Sequence, residues 1–265
     1  MILLALVCFL LSINPATAQD SSTLFEQYKN DYSYQRDLYQ QSYLNYVNKK
    51  QIHTTYGTLI TLNDKIGATK QALLARNNLL RTYLMALRTK LSLIPPMDTN
   101  TTQKLQIDLN RWEDWFNEQN TIVDSLNNDD DISQYVSEFK KQYNTVQAVI
   151  YTSLIVDEIN LRYHTLNLIQ VLSDQVETNP NLSPENQQWL SSVVVKSDLV
   201  VKNLNQAYDL TQSTLQRSKQ FNNFYPTAKQ ELNQANNYLL GMVNGLRSII
   251  TKLDTPPNAN RNTSN

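Results

Sequence analysis

The sequence predicts an all-α protein, an elongated antiparallel bundle of long, coiled-coil-like helices. Apolar residues recur at every seventh position across one stretch, and this spacing buries one side of a helix along a partner. Only four glycines occur in 265 residues, whereas a β-rich or loop-rich enzyme needs more of them for its turns. The sevenfold series comprises Ile52, Leu59, Ile66, Leu73, Leu80, Leu87 and Ile94.

Prolines divide the chain into three helical legs of similar length, 23–94, 103–178 and 184–254. Two short turns between three long legs predict an up-down-up topology. The middle leg is net acidic and its two neighbours are net basic, which agrees with legs that pack side by side.

Two of the legs have recognisable start signals. Thr23 and Glu26 have capping-box spacing at the start of the first leg. Ser183 as N-cap and Pro184 at the first helical position start the third.

Apolar seams run along the other two legs at helical spacing. The second leg carries them in two parts, Leu105, Leu109, Trp112, Phe116, Val123 and Leu126, then Val136, Phe139, Tyr143, Val146, Ile150, Leu154, Leu161, Leu168 and Leu172. The third leg carries Ala228, Leu232, Ala235, Leu239, Met242, Leu246, Ile249 and Leu253.

Each leg also contains a weak point. If the three legs pack antiparallel, Gly67, Asn127–Asp131 and Pro226 lie at similar positions along the bundle axis. We therefore expect a kink or hinge at that position. In the alternative arrangement the chain folds back at these points, with Tyr56–Gly57 or Gly67 as a turn. The product would be a compact bundle of five or six helices.

The N-terminus has the features of an export signal over residues 1–18. Ile2–Leu11 is apolar, and Ala16–Ala18 gives the small-x-small pattern for cleavage after Ala18. We therefore expect an exported protein, periplasmic or extracellular. The alternative, an uncleaved membrane anchor, has an apolar stretch too short to span a bilayer.

The remaining chain divides into a helical bundle domain, 19–254, and a disordered polar tail, 255–265. Cys8, the only cysteine, lies within the signal, so the mature chain would have no disulfide.

No metal or cofactor site is expected from the sequence. His53 and His164 lie on different legs without a ligand at metal-binding spacing. One run matches calcium-loop spacing, but it has Ile132 where the loop needs glycine. We interpret it as a helix start capped by Asp131. The calcium-loop positions are Asn127, Asp129, Asp131, Ser133, Tyr135 and Glu138.

The sequence also lacks the usual arrangements of catalytic residues, so we expect no enzyme. Glu113 and Asp114 stand between Trp112 and Trp115, as in some sugar sites, but adjacent helical residues diverge and cannot flank one bond. Trp112 fits the buried face. Three glycosylation triplets begin at Asn100, Asn181 and Asn262.

The aromatic stripe of the first leg is expected to fill half-buried positions, although it would also suit peptide or glycan binding. This stripe comprises Phe25, Tyr28, Tyr32, Tyr39, Tyr43 and Tyr46.

These features predict an exported, non-enzymatic spacer, adaptor or protein-binding module. Its partner is another protein or a second copy, with polar layers at Asn63, Lys70 and Asn77 setting the register. A net charge of −1 gives no reason to expect nucleic acid, and no small-molecule substrate is indicated. The alternative is a membrane-active secreted protein whose best inserting segment is Val146–Val156.

Overall fold

A computed structural model of the protein describes residues 15–216 and 221–254. Within these ranges the chain forms six helices and no strand, so the predicted all-α class is confirmed. The signal segment up to Asn14, with Cys8, and the tail 255–265 lie outside the described residues. The helices are α1 Pro15–Tyr56, α2 Leu59–Lys90, α3 Thr99–Ser125, α4 Asp129–Glu177, α5 Pro184–Gln216 and α6 Phe221–Asp254.

The first leg is not one helix. It breaks after Tyr56, and α1 and α2 pack on each other as an antiparallel hairpin. Gly57 adopts a φ of 59°, a left-handed conformation that glycine reaches at little cost. Thr58 then caps α2, because its hydroxyl accepts the Thr61 amide hydrogen at 3.2 Å. The continuous first leg was therefore wrong, and the alternative turn at Tyr56–Gly57 is confirmed.

The other predicted weak points behave differently from one another. Asn127 does lie at a break, between α3 and α4. Gly67 is an ordinary residue within α2, and Pro226 lies inside α6. Helix α6 continues on both sides of this proline. The number of helices described, six, agrees with the alternative bundle of five or six helices and not with three continuous legs.

Of the two predicted helix start signals, the structure confirms one and not the other. Ser183 accepts the Asn186 amide hydrogen at 3.3 Å, as expected for the N-cap of α5. α1 already begins at Pro15, so Thr23 and Glu26 do not start it, and Glu26 instead pairs with Lys29 at 3.0 Å.

The described chain divides into two compact units. Unit 1 contains α1, α2, α3 and α4 as far as Ser153. Unit 2 contains the rest of α4, α5, α6 and the short segment Pro95–Met97. The amino-acid composition did not indicate a boundary between these two units. The predicted bounds of the signal segment, the bundle domain and the tail stay predictions.

The apolar seams of α3 and α6 are buried as expected. Phe116 and Val123 in α3 and Leu232 and Met242 in α6 have no measurable exposure. In α4 the predicted face holds only in part, because Leu161 and Leu168 are exposed while Ile159 and its neighbours are buried. The other α4 residues that replace them in the core are Ile155, Leu166 and Ile169.

The sevenfold series is split by the break in the hairpin. Leu73 and Leu87 are buried in α2, but Leu59 is 73% exposed at the hairpin turn, which contradicts its predicted place in a seam. Two residues of the predicted polar layers, Asn77 and Lys70, make hydrogen bonds within unit 1. Asn77 is fully buried and donates to the Tyr135 hydroxyl at 3.2 Å, and Lys70 donates to the Leu126 carbonyl at 3.0 Å.

Candidate functional site: a groove between α3 and α4

In unit 1, a groove of about 570 Å³ lies between α3 and α4. The two helices are antiparallel neighbours joined by a short turn, and their side chains form its two walls. Trp115 and Ile122 come from α3, and Tyr135, Glu138 and Phe139 come from α4. We call this surface the α3–α4 groove.

The floor of the groove is aromatic. The Trp115 ring lies 5.3 Å from that of Phe139, and Tyr135 lies 5.9 Å from Phe139 on the next turn of α4. Behind them Trp112 meets Trp115 edge to face at 5.4 Å, and Phe116 contacts Trp115 at 5.0 Å. Such packing holds the rings in fixed positions, and the half-buried Trp115 is the most accessible of the three, since Tyr135 and Phe139 are each 6% exposed.

Arg76 of α2 supports this floor from beneath. Its guanidinium carbon lies 3.6 Å from the centre of the Phe139 ring, a close cation–π contact. Its Nη2 donates to the Asn77 side-chain oxygen at 3.2 Å and to the Tyr135 hydroxyl at 3.4 Å. These groups are neutral, and burial lowers the pKa of Arg76 and raises the pKa of Tyr135.

The rim of the groove is polar and acidic. Asp131 and Glu138 contribute carboxylates, and the exposed Gln134 and Gln142 contribute amides. Glu138 is exposed and pairs with Lys141 at 2.6 Å, a weak surface pair that a ligand can replace. A groove with an aromatic floor and an acidic rim favours a ligand that is both apolar and basic.

The run with calcium-loop spacing does not form a loop. From Asp129 onward it belongs to α4, and Tyr135 turns inward to Asn77. The described residues contain no cluster of metal-ligating side chains. The cap also differs from the prediction, because Asn128 accepts the Asp131 amide hydrogen at 2.8 Å, while Asp131 accepts that of Asn127 at 3.0 Å.

The Trp112–Trp115 run divides between the core and the groove. Trp112 is 7% exposed, which confirms its core assignment, and Trp115 lines the groove. Glu113 is buried and accepts two hydrogen bonds from Arg88, at 2.8 and 3.1 Å, which raise the pKa of Arg88. Asp114 is exposed and accepts from Asn110, so the two carboxylates do not converge.

The remaining singled-out residues lie apart from the groove. His53 in unit 1 meets the Thr61 hydroxyl at 3.0 Å, and His164 lies in unit 2. Asn100 and Asn181 are exposed, whereas Asn262 is outside the described residues.

Sequence reasoning missed the groove as a whole. It singled out Trp115, Asp131, Tyr135 and Glu138, but for other reasons and as two separate motifs. Arg76 had no signal at all, because its contact with Phe139 joins residues far apart in the chain. The only sequence sign was an aromatic series at helical spacing on two successive helices.

The proposed membrane-inserting segment, Val146–Val156, is part of the core. Val146 and Ile155 have no measurable exposure, and Val156 is 3% exposed. Among the helices described, none is both long and apolar enough to cross a bilayer.

Comparisons with protein-family models, curated proteins and solved structures found no match to this chain.

Proposed function

We propose that this protein is an exported, non-enzymatic binding module that holds an apolar and basic segment of a protein partner in the α3–α4 groove. One observation carries the proposal, namely that Trp115, Tyr135 and Phe139 form a fixed aromatic floor beneath an acidic rim. Export rests on the sequence of residues 1–18.

The floor favours a protein ligand because of its anchors. Buried aromatic side chains in well-packed pockets contribute most of the affinity of protein interfaces. Trp115 is backed by Trp112 and Phe116, so little conformational freedom is lost when a ligand covers it. Ile122, 44% exposed on the α3 wall, extends the apolar surface.

The rim indicates the sign of the ligand's charge. Asp131 and Glu138 line the groove, and Asp130 stands beside Asp131 in the first turn of α4, while Asp129 is paired with Lys65. A lysine or arginine beside an apolar anchor would meet these carboxylates at the edge of the groove. The partner segment is therefore expected to combine apolar and basic residues at helical spacing, the pattern of a helix bound in a groove.

Selection of displayed random peptides on the immobilised full chain tests this proposal. Enriched peptides should be apolar and basic, and each should bind the Ile122→Ser variant at least about tenfold more weakly, the effect of losing one apolar anchor. Val136→Ser is the matched control, because Val136 is 41% exposed nearby but does not line the groove. Failure to enrich any peptide, or equal binding to both variants, would contradict the proposal.

A further inference from the structure

The turn between α1 and α2 interrupts a helical pattern that continues through it. On α1 the half-buried residues Tyr46, Lys49 and His53 alternate in steps of three and four, and Tyr56 and Ile60 continue these steps. Leu59 in turn continues the sevenfold series after Ile52. The sequence on either side of Gly57 is thus suited to helix without a turn.

The turn leaves its apolar residues uncovered. Tyr56, Leu59 and Ile60 are 69, 73 and 75% exposed. Leu59 and Ile60 are the most exposed large apolar side chains among the described residues. Uncovered apolar groups of this size at one point indicate a contact surface.

The interface between α1 and α2 has the composition of a separable contact. Between residues 20 and 56, α1 contributes no buried side chain. Most of its half-buried residues lie at heptad spacing, Ser21, Phe25, Tyr28, Tyr32, Gln35, Tyr39, Ser42, Tyr46, Lys49 and His53. Leu38 and Ile52 are also half-buried.

We propose that two copies of this chain exchange α1. The Gly57–Thr58 turn opens, α1 extends away from its own α2, and it packs on α2 of the second copy, as in domain swapping. The contacts between α1 and α2 reform unchanged between copies, so the established interface also provides the new one. Tyr56, Leu59 and Ile60 of both copies then meet at the crossing point, which covers the exposed apolar groups.

Cross-linking tests the exchange directly. The experiment uses the full chain with Cys8→Ser, so that the only thiols are those introduced. Tyr32 of α1 and Tyr83 of α2 are the labelled positions, because they lie far from the turn and their ring centres are 5.5 Å apart. Chains with Tyr32→Cys and chains with Tyr83→Cys are mixed, unfolded, refolded together and treated with a short bis-maleimide. A cross-linked dimer in the mixture, absent from either variant alone, is the expected result.

Two hinge variants and one control complete the test. Gly57→Ala strains the left-handed turn, and since each dimer opens two turns, we expect the dimerisation constant measured by light scattering to rise roughly tenfold or more. Insertion of Gly-Ser-Gly-Ser after Gly57 should lower it. At concentrations where it is monomeric, the double variant Tyr32→Cys, Tyr83→Cys must cross-link within one chain, which establishes that the positions can react.

The mass distinguishes the outcomes, since the single chain is 30.6 kDa. Wild-type and Gly57→Ala chains that remain monomeric at all concentrations would overturn the proposal. A dimer by light scattering without cross-linking between the two single variants would also overturn it, because the copies would then associate without exchange.

Discussion

Helices α1 and α6 follow the same three- and four-residue spacing yet are held very differently. Every position of the α6 seam from Ala228 to Ile249 is buried, and these side chains are small or aliphatic. The α1 seam is made largely of tyrosine, glutamine, serine and lysine, and none of it is buried. Spacing alone therefore specifies a helix and its contact face, while the side chains on that face decide whether it becomes core.

Truncation of one seam residue in each helix should give the largest contrast. Leu232→Ala in α6 leaves a cavity in a fully buried site, so we expect a loss of about 3 kcal/mol in the free energy of unfolding. Tyr46→Ala in α1 removes a half-buried ring and should cost about 1 kcal/mol. Urea unfolding followed by circular dichroism measures both, and equal losses would contradict the difference between the two seams.

The close packing of α6 is tested at a glycine. A Cβ on Gly245 would overlap the Trp189 ring of α5, whereas one on Gly241 would meet nothing nearby. Gly245→Ala should therefore destabilise unit 2 by about 2 kcal/mol. Gly241→Ala, the control on the same helix, should leave stability unchanged or raise it, since alanine is the better helix former. A tolerated Gly245→Ala would show that α5 and α6 are less tightly packed than described.

Two of the arginines of α2, Arg76 and Arg88, offer a smaller contrast within unit 1. Arg88→Met strands the buried Glu113 carboxylate and should cost about 1–2 kcal/mol. Arg76→Met removes a half-buried cation whose hydrogen-bond partners are neutral, so we expect a change within about 1 kcal/mol of zero. Thermal unfolding of both variants checks the order, and a larger loss for Arg76→Met would mean that its contact with Phe139 stabilises the floor strongly.

The smallest expected effect is a pH dependence. Burial raises the pKa of Tyr135 and of Tyr143 above the ordinary value of about 10. Each phenol supports folding below that value, and this support is lost as the pH rises through the folded-state pKa. Unit 1 should therefore lose stability above about pH 10, and Tyr143→Phe should lessen the loss. Phenolate absorbance and urea unfolding across this range check it, and an unchanged dependence in Tyr143→Phe would refute the assignment.

The helical class and two apolar seams were predictable because their signals are local and repeated. The seams of α3 and α6 lie as the spacing predicts. The hairpin turn was harder, because Gly57 is a single residue within a pattern that continues on both sides. In α4 the buried face changes between Ile150 and Ile159, and no local periodicity records which neighbour a helix meets.

The groove could not be predicted for the same reason. Its floor depends on Arg76, Trp115 and Phe139, which come from three helices. In the sequence, Asp131 and Glu138 belong to a run with calcium-loop spacing, which we interpret as a helix start. In the folded protein they line the same groove as Trp115.

Hydrogen exchange of the native full chain, resolved by peptide, tests most directly whether α1 is held more weakly than α6. Amide hydrogens exchange through local openings, and the free energy of each opening reflects how firmly that segment is packed. Amides of residues 24–53 in α1 should exchange faster than those of residues 228–249 in α6, at every pH where both are measured. Equal protection of the two helices, or slower exchange in α1, would contradict the claim that seam composition determines how firmly each helix is held.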